Sequence, residues 1–213
     1  MPRKFDRSLI PPTPNLDFET ELWKQGIWNI AGIDEAGRGA LAGSVAAAAV
    51  ILPQNPKLLE KLEGVRDSKE LSAKKREMFF EIIPQVAVAS KVAFADRKEI
   101  DWWGIAPATR LAASRAVMSL GVYPDHLLID YISLPKSLIK QTVLVKGDQR
   151  SLSIACASVL AKVTRDAEMV RLHELYPGYG FAQNKGYGTE AHRKAIKKLK
   201  PCPQHRNTFI LKG

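Results

Sequence analysis

Apolar residues in this chain form short, nearly continuous runs of the kind found in buried β-strands. The clearest run is 43–52, in which small and β-branched residues follow one another without a charge. A strand that is apolar at successive positions is buried on both faces, so helices are expected to cover the sheet. The runs that predict strands are 27–33, 43–52, 87–95, 126–130 and 141–145.

Other stretches repeat their apolar residues at helical spacing. Ser72 can cap the start of one predicted helix, and Gly121 can end another. The order of strands and helices predicts an α/β fold with a mixed β-sheet flanked by helices. The predicted helices are 17–25, 72–83, 106–120, 151–176 and 189–200, with loops at 59–69 and 178–188. The residues predicted to form the buried sides of the third and fourth helices are Leu111, Ala112, Ala116, Met118, Ile154, Ala157, Leu160, Ala161 and Ala167.

The organisation of the chain is simple. Residues 1–16 are polar and rich in proline, which predicts a flexible N-terminal arm. Residues 17–213 contain no linker or repeat, so we expect a single domain that includes a C-terminal helical segment from about residue 177. The sequence has no signal-peptide pattern, no transmembrane run and no CxxC pair. A cytoplasmic protein is therefore expected, with a monomer as the default.

Charge narrows the choice of partner. The chain carries 32 Lys and Arg against 22 Asp and Glu, for a net charge of +10. The basic residues cluster at 69–76, 162–165 and 185–200. A clustered basic excess favours a polyanionic partner, and nucleic acid is the most common one.

Three acidic residues, Asp34, Asp130 and Asp148, lie at or just past the ends of predicted strands, and Glu35 adjoins the first. The carboxyl ends of strands converge on the functional crevice of an open α/β sheet. Carboxylates that meet there repel one another unless a cation lies between them, and oxygen-only ligation favours Mg²⁺ or Mn²⁺. Two such ions about 3.5–4 Å apart would stabilise the attacking and leaving oxygens of a phosphodiester displacement.

The same acids also have a purely structural interpretation, because an acid at a strand end is often a turn residue or a helix cap. Asp34 and Glu35 pose a further difficulty, since neighbours on a regular strand face opposite sides. Both can reach one site only if the chain bends, and Gly37 and Gly39 are the residues that would allow a bend.

A set of motifs gives a more specific indication. They are GIDEAGRG at 32–39, DSK at 67–69 followed by Leu71, LLID at 127–130, KGD at 146–148, ASVLAKVTRD at 157–166, YP at 176–177, NKGYGT at 184–189 with His192, and HR at 205–206 with Phe209. In this order, the motifs resemble those of the type 2 ribonucleases H, the ribonuclease HII family. The resemblance covers nearly all of residues 30–209.

The resemblance implies an RNase H-like fold and a metal-dependent endoribonuclease. Such an enzyme cuts the RNA of RNA–DNA hybrids and cuts at ribonucleotides embedded in duplex DNA, leaving 3′-OH and 5′-phosphate ends. The catalytic and metal-binding carboxylates that it implies are Asp34, Glu35, Asp130 and Asp148. It also implies that the Gly37-Arg38-Gly39 backbone and Tyr187 read the ribose 2′-hydroxyl at the RNA–DNA junction. This hydroxyl is the group that separates RNA from DNA.

Two features depart from the family pattern. Tyr131 follows the third acid, where many relatives carry glycine. No recognisable sliding-clamp peptide follows Phe209, so recruitment by a clamp is not expected.

Several other residues near the motifs have two possible roles. Lys69 either contacts a phosphate or is a solvated loop lysine, and Lys185 is a further candidate for substrate binding. Ser158 and Lys162 share a helix face, from which they could orient ligands or touch the DNA strand.

For five further positions a structural role is expected. Arg165 and Asp166 are predicted to form an ion pair, and His192 is predicted to pack or cap rather than to catalyse. The paired residues Trp102–Trp103 are predicted to anchor the core.

Three alternatives to the type 2 enzyme remain at this point. The type 3 ribonucleases H carry an extra N-terminal domain, for which Asp34 lies too near the start of this chain. A nucleic-acid-binding module without catalysis would be expected to lack at least one of the four acids. Transposases and integrases share the acids of this fold but not the motifs at 37–39 and 185–188.

Overall fold

The computed structural model describes residues 5–55 and 57–210, and within them the chain forms a five-stranded mixed sheet. The strands are β1 (Ile30–Ala36), β2 (Val45–Ile51), β3 (Ala89–Ala95), β4 (His126–Asp130) and β5 (Lys140–Leu144). Their spatial order is β3-β2-β1-β4-β5. The pairs β1–β2 and β2–β3 are antiparallel, while β1–β4 and β4–β5 are parallel. The predicted α/β class with a mixed sheet is confirmed.

Helices cover both faces of this sheet. They are α1 (Asp17–Lys24), α2 (Leu58–Lys61), α3 (Ala73–Val86), α4 (Arg97–Trp103), α5 (Ile105–Met118), α6 (Leu152–Leu175), α7 (Phe181–Asn184), α8 (Glu190–Leu199) and α9 (Asn207–Ile210). Short 3-10 helices lie at Arg7–Leu9, Gly147–Gln149 and Pro177–Tyr179. None of the helices in the described ranges is long and apolar enough to cross a membrane.

Most element boundaries follow the sequence pattern, and the differences have local causes. Strand β1 begins three residues later than predicted, because the amides of Trp28 and Asn29 donate to the Asp125 carboxylate instead of to a neighbouring strand. The two predicted loops contain short helical segments, α2 in the first and both Pro177–Tyr179 and α7 in the second. The predicted cap is confirmed, since the Ser72 side chain accepts a hydrogen bond from the Lys75 amide.

The long helix α6 packs against β1 and β2 on one face of the sheet. Gly32 permits this packing, because a Cβ on Gly32 would lie 2.3 Å from the Ser153 carbonyl carbon. Helix α5 packs against β2 and β3 on the opposite face, and its buried side is mostly alanine: Ala108, Ala112, Ala113 and Ala116. Small residues on both sides of each contact let the helices approach the sheet closely.

Some predicted core residues are exposed, and these predictions were wrong. Met118 is 86% exposed because it is adjacent to Val117, which already faces the sheet. Ala167 is exposed because the buried side of α6 there is formed by Arg165 and Met169. Trp102 is 83% exposed and Trp103 is also exposed, since they end a helix whose buried residue is Ile100.

The N-terminal segment contacts the rest of the chain near its end. Pro14 and Leu16 are buried, and Asn15 pairs with Ser151 in an isolated parallel bridge. The flexibility and the domain boundary predicted for residues 1–16 stay predictions, and residues 1–4 lie outside the described part. At the other end, Tyr179 and Phe181 of the C-terminal segment pack with Met169 of α6 and Ala42.

Gly32→Ala tests the close contact between β1 and α6. Because the new methyl group would meet helix backbone, we expect a loss of at least about 3 kcal/mol, the upper part of the usual overpacking range. At roughly 2–4 °C per kcal/mol for a chain of this size, the melting temperature should fall by about 6–12 °C. The control is Gly39→Ala, where an added Cβ meets nothing within 4 Å. Equal melting temperatures for the two variants would contradict this account of the packing.

Candidate active site

Asp34 and Asp130 lie on neighbouring parallel strands at the same end of the sheet. The register pairs Ile33 of β1 with Ile129 of β4, so the next residue of each strand is an aspartate. Because side chains alternate along a strand, both carboxylates lie on the α6 face. The Asp130 carboxylate accepts a hydrogen bond of 2.7 Å from the Gly147 amide, which brings Asp148 of the following 3-10 helix to the same place.

Burial and mutual repulsion dominate the electrostatics of these acids. Burial raises the pKa of Asp34 well above its usual value, and the negative charges of Glu35, Asp130 and Asp148 raise it further. Burial also raises the pKa of Asp148, to about 7, with contributions from Asp67 and Asp130. The pKa of Asp130 is raised mainly by burial. The Asp148 Oδ1 atom is buried and has no hydrogen-bond partner.

Asp67 is a fifth acid of this site, and the sequence pattern did not predict it. Its side chain is buried, and its negative charge raises the pKa of Asp148 further, after burial. Asp67 lies in a loop without periodicity, and its place in the DSK motif was the one available signal.

Glu35 takes a different direction from Asp34, as expected for neighbours on a strand. Strand β1 stays paired with β2 through Ala36, and the chain bends at Gly37, where φ is +93°. The Glu35 carboxylate lies 3.1 Å from Arg38 Nη1 and its side chain is 12% exposed. Its pKa is raised by burial, against the opposing effect of Arg38.

A pocket of about 460 Å³ opens beside the acids. Its lining includes Glu35, Gly37, Arg38, Gly39, Ser68, Lys69, Lys162 and Tyr187. The structure therefore brings together one acid, the 37–39 backbone, Tyr187 and two of the candidate lysines. A basic and aromatic lining next to buried carboxylates suits a phosphodiester backbone with its sugar.

The other two candidate residues lie outside the lining of this pocket. Ser158 is buried, 3.0 Å from the Ser68 hydroxyl, and its hydrogen bond to Asp34 lowers the pKa of that acid. Of its two predicted roles, orienting a ligand agrees with this position. The Lys185 side chain donates to the carbonyl of Ala182.

Two buried arginines hold the backbone of the pocket from behind. Arg165 donates to the carbonyls of Ala42, Ser44 and Lys185. Arg206 donates to the carbonyls of Gly37, Arg38, Gly43 and Ser44. The predicted Arg165–Asp166 ion pair was wrong, because Asp166 pairs instead with Lys162 at 2.8 Å.

This arrangement also sets the direction of two amides. The C=O and N–H groups of a trans peptide unit point in opposite directions. Because Arg206 binds the carbonyls of Gly37 and Arg38, the amides of Arg38 and Gly39 point away from it. Within the described ranges these two amides donate to no protein acceptor, so they are available to a ligand.

The backbone of Tyr187 is held by neighbouring chain segments, and its ring lines the pocket. It forms an antiparallel bridge with Ala40, directly after the 37–39 turn. Gly186 is needed for this pairing, because a Cβ there would lie 2.5 Å from the Ala42 carbonyl oxygen. The ring centre lies 5.7 Å from Lys162 Nζ and 5.4 Å from the Arg165 guanidinium carbon. This half-buried position leaves one part of the ring to the pocket.

A mixed sheet with converging acids beside a basic pocket defines a nuclease of the RNase H-like fold. The family model Ribonuclease HII matches residues 31–212. A Ribonuclease HII of Synechococcus sp. is 50% identical over 92% of this chain and 88% of its own length.

Solved structures agree with the family match. The ribonuclease H2 of Pyrococcus horikoshii has a TM-score of 0.69 at 25% identity, over 84% of this chain and 93% of that one. The Archaeoglobus fulgidus RNase HII, solved in a complex with PCNA, has a TM-score of 0.70 at 26% identity, over 84% and 94%. The chain belongs to the ribonuclease HII family and is a metal-dependent endonuclease that cleaves RNA in RNA–DNA hybrids and at ribonucleotides in DNA.

The raised pKa of Asp148 predicts a pH-dependent stability in the absence of divalent ions. The pKa of Asp148 is 3.8 in the unfolded chain and about 7 in the fold. Between these two pH values the folded state therefore binds more protons than the unfolded state. Stability should therefore fall as pH rises through this range and be lowest at pH 8. Asp148→Asn should raise the stability at pH 8 by about 1–4 kcal/mol, since one pKa unit corresponds to about 1.36 kcal/mol. At pH 4 the gain should nearly vanish.

The measurement is urea unfolding in EDTA at pH 4, 6 and 8. The control is Glu63→Gln, which removes an exposed carboxylate outside the site. A destabilised Asp148→Asn at pH 8 would contradict the repulsion described here.

Proposed function

We propose that Asp34, Glu35, Asp130 and Asp148 hold Mg²⁺ or Mn²⁺ and carry out the hydrolysis, with the pocket beside them binding the ribonucleotide. The observation that carries this proposal is the convergence of buried, mutually repelling carboxylates next to a basic pocket. Buried like charges are costly and are retained where they serve a function.

The four acids have the type of side chain that binds a divalent ion. The donor set consists of carboxylate oxygens, the ligands that Mg²⁺ and Mn²⁺ prefer, and Asp148 Oδ1 is buried without a partner. In the described part of the chain, no group of three such side chains is yet arranged around a common point. The proposal therefore requires side-chain rotations, which would exchange carboxylate repulsion for attraction to the cation. When bound, the ions supply positive charge at the reacting phosphate and lower the pKa of a water molecule.

The substrate side of the proposal rests on the pocket lining. In the proposal, the outward amides of Arg38 and Gly39 donate to a ribose hydroxyl and the Tyr187 ring lies against the adjacent sugar, which their position in the pocket lining supports. Lys69 and Lys162 supply positive charge for the phosphates. Ser158 orients Asp34.

Lys185 has a lesser part in this proposal, in which it adds to the positive field around the pocket without lining it. Hydrolysis at the ribonucleotide breaks the bond between phosphorus and the 3′ oxygen. The water oxygen stays on the phosphate, so the products carry a 3′-hydroxyl and a 5′-phosphate.

The proposed partners are RNA–DNA hybrids and DNA duplexes with embedded ribonucleotides, bound by a cytoplasmic monomer. Residues 211–213 lie outside the described part of the chain.

Asp34→Asn and Asp130→Asn test the catalytic assignment. Each change removes a charge that organises the ions but leaves the lysines of the pocket in place. We expect cleavage to fall below detection in single-turnover assays with Mg²⁺ or Mn²⁺, while hybrid affinity measured in Ca²⁺ or EDTA stays within a few-fold. Glu63→Gln, which removes an exposed acid outside the site, should retain cleavage. Near-normal turnover by either active-site variant would exclude the assignment.

Tyr187→Ala tests recognition of the junction. Stacking on an aromatic ring contributes about 1–3 kcal/mol per base, and we expect a sugar contact to contribute no more. Cleavage at a single embedded ribonucleotide should therefore slow about 5- to 150-fold, at about 1.4 kcal/mol per tenfold. The melting temperature should change little. The control is Tyr123→Ala, which removes an exposed ring. A large loss of stability with equal loss on all substrates would identify Tyr187 as a packing residue.

A further inference from the structure

Two buried histidines of the C-terminal segment are in direct contact. His192 Nε2 and His205 Nε2 lie 3.0 Å apart, and both residues are fully buried. A contact between two imidazole nitrogens is a hydrogen bond only when one of them carries a proton and the other does not. The outer nitrogens of the two rings decide which one carries it.

The outer nitrogen of His205 accepts a hydrogen bond. The Cys202 amide donates to His205 Nδ1 at 3.0 Å. The Cys202 carbonyl lies farther from this nitrogen, at 3.3 Å, and accepts a 3.0 Å hydrogen bond from the His205 amide. A proton on Nδ1 would face the Cys202 N–H group, so Nδ1 is bare and the proton of His205 is on Nε2.

The outer nitrogen of His192 has the opposite role. His192 Nδ1 lies 2.9 Å from the Tyr187 carbonyl oxygen, which can only accept. The proton of His192 is therefore on Nδ1, and its Nε2 is the acceptor for His205. The resulting chain of donors runs in one direction from the Cys202 amide through both imidazoles to the Tyr187 carbonyl, and every nitrogen in it is satisfied.

The surroundings keep both rings neutral. The Tyr179 and Phe181 rings pack against them, with centroids 4.8 Å from His205 and 5.4 Å from His192, respectively. Burial lowers the pKa of His192, with a smaller contribution from Arg193. Burial and the neighbouring His192 lower the pKa of His205 to about 4. An additional proton would place two donors opposite each other and break the chain.

We propose that the His192–His205 pair is a positioning element for Tyr187 and thereby for discrimination of the RNA–DNA junction. The Tyr187 carbonyl accepts from the Thr189 amide at 2.8 Å and from His192. The pair thus ties the backbone of Tyr187, and the ring that it carries, to the Cys202–His205 turn. This turn also holds the pocket backbone, because Ala42 pairs with His205. The inference rests on the proposed role of Tyr187 in reading the junction.

Two substitutions of His192 separate hydrogen bonding from packing. His192→Phe keeps a planar ring but leaves the Tyr187 carbonyl and His205 Nε2 without their partner. His192→Asn places an amide nitrogen near the position of Nδ1, so the bond to Tyr187 can be kept. The matched control is His126→Phe, because His126 is also buried and bonded, through Thr142 at 2.9 Å, but lies at the other end of β4 from Asp130.

The readout is the ratio of kcat/KM for a duplex with one ribonucleotide to kcat/KM for a hybrid with an all-RNA strand. We expect His192→Phe to lower this ratio about tenfold, because the Tyr187 ring would move out of position and one substrate contact would be weakened. His192→Asn and His126→Phe should leave it within about threefold. An unchanged ratio in folded His192→Phe, or an equal fall in His126→Phe, would overturn the inference.

Tyr187→Ala in the same assay separates this inference from the proposed function. If Tyr187→Ala leaves the ratio unchanged, the reading role of Tyr187 is wrong. If it lowers the ratio while His192→Phe does not, only the positioning role fails.

The tautomers provide a test on the unmodified protein. Nitrogen-15 NMR at pH 7 should show His192 protonated on Nδ1 and His205 protonated on Nε2, both neutral. Identical tautomers, or a charged ring, would overturn the inference even if no variant of His192 folds.

Discussion

Repulsion among buried carboxylates is the constraint around which this molecule is arranged. Asp34, Asp130 and Asp148 come from two parallel strands and the turn before α6, and each is harder to ionise in the fold than in water. A buried acid can remain charged only where donors or cations offset the lost hydration. The Gly147 amide donates to Asp130, the Glu35 amide donates to Asp34 at 2.7 Å, and Ser158 lowers the pKa of Asp34. They offset part of the cost, and a divalent ion would offset the remainder, which links binding of the ion to stability.

The positive charges behind the pocket have a complementary role. Arg165 and Arg206 are fully buried, and their hydrogen bonds in the described ranges go to backbone carbonyls rather than to carboxylates. Burial and the charge of Arg165 lower the pKa of Arg206 to about 9. A flexible, glycine-containing turn would otherwise sample many conformations. Arg206 binds the carbonyls of Gly37 and Arg38 on one side of the turn. The amides of Arg38 and Gly39 therefore point to the other side, where they can donate to a ligand.

The strands could be predicted from the sequence because they depend on local patterns. The catalytic role of the four acids stays a prediction. Strand β4 was predicted with its observed bounds, since a short apolar run ends in an acid there. Asp67 was not assigned, because only the tertiary fold brings its loop against Asp148. The predicted ion-pair partner of Asp166 was wrong for a geometric reason. Adjacent helix residues such as Arg165 and Asp166 point in different directions, whereas Lys162 lies one turn before Asp166 on the same face. Trp102 and Trp103 were predicted to anchor the core, but both are exposed, and exposed aromatic residues are common at functional surfaces.

The proposed catalysis and the proposed discrimination depend on different parts of the chain. The acids are held by β1, β4 and the turn before α6, and these contacts form wherever the sheet and α6 form. The elements proposed to read the ribose depend on the 37–44 segment, which lies between the Gly186–Tyr187 and Gln204–Arg206 backbones: the Leu41 amide donates to the Gly186 carbonyl at 2.7 Å, and the Gly43 amide donates to the Gln204 carbonyl at 2.9 Å. The C-terminal segment contributes no acid to the proposed catalytic set, yet its backbone bonds to Leu41 and Gly43, which directly follow the 37–39 turn of the pocket. Changes in this segment can therefore shift the turn proposed to read the ribose while Asp34, Asp130 and Asp148 keep their positions.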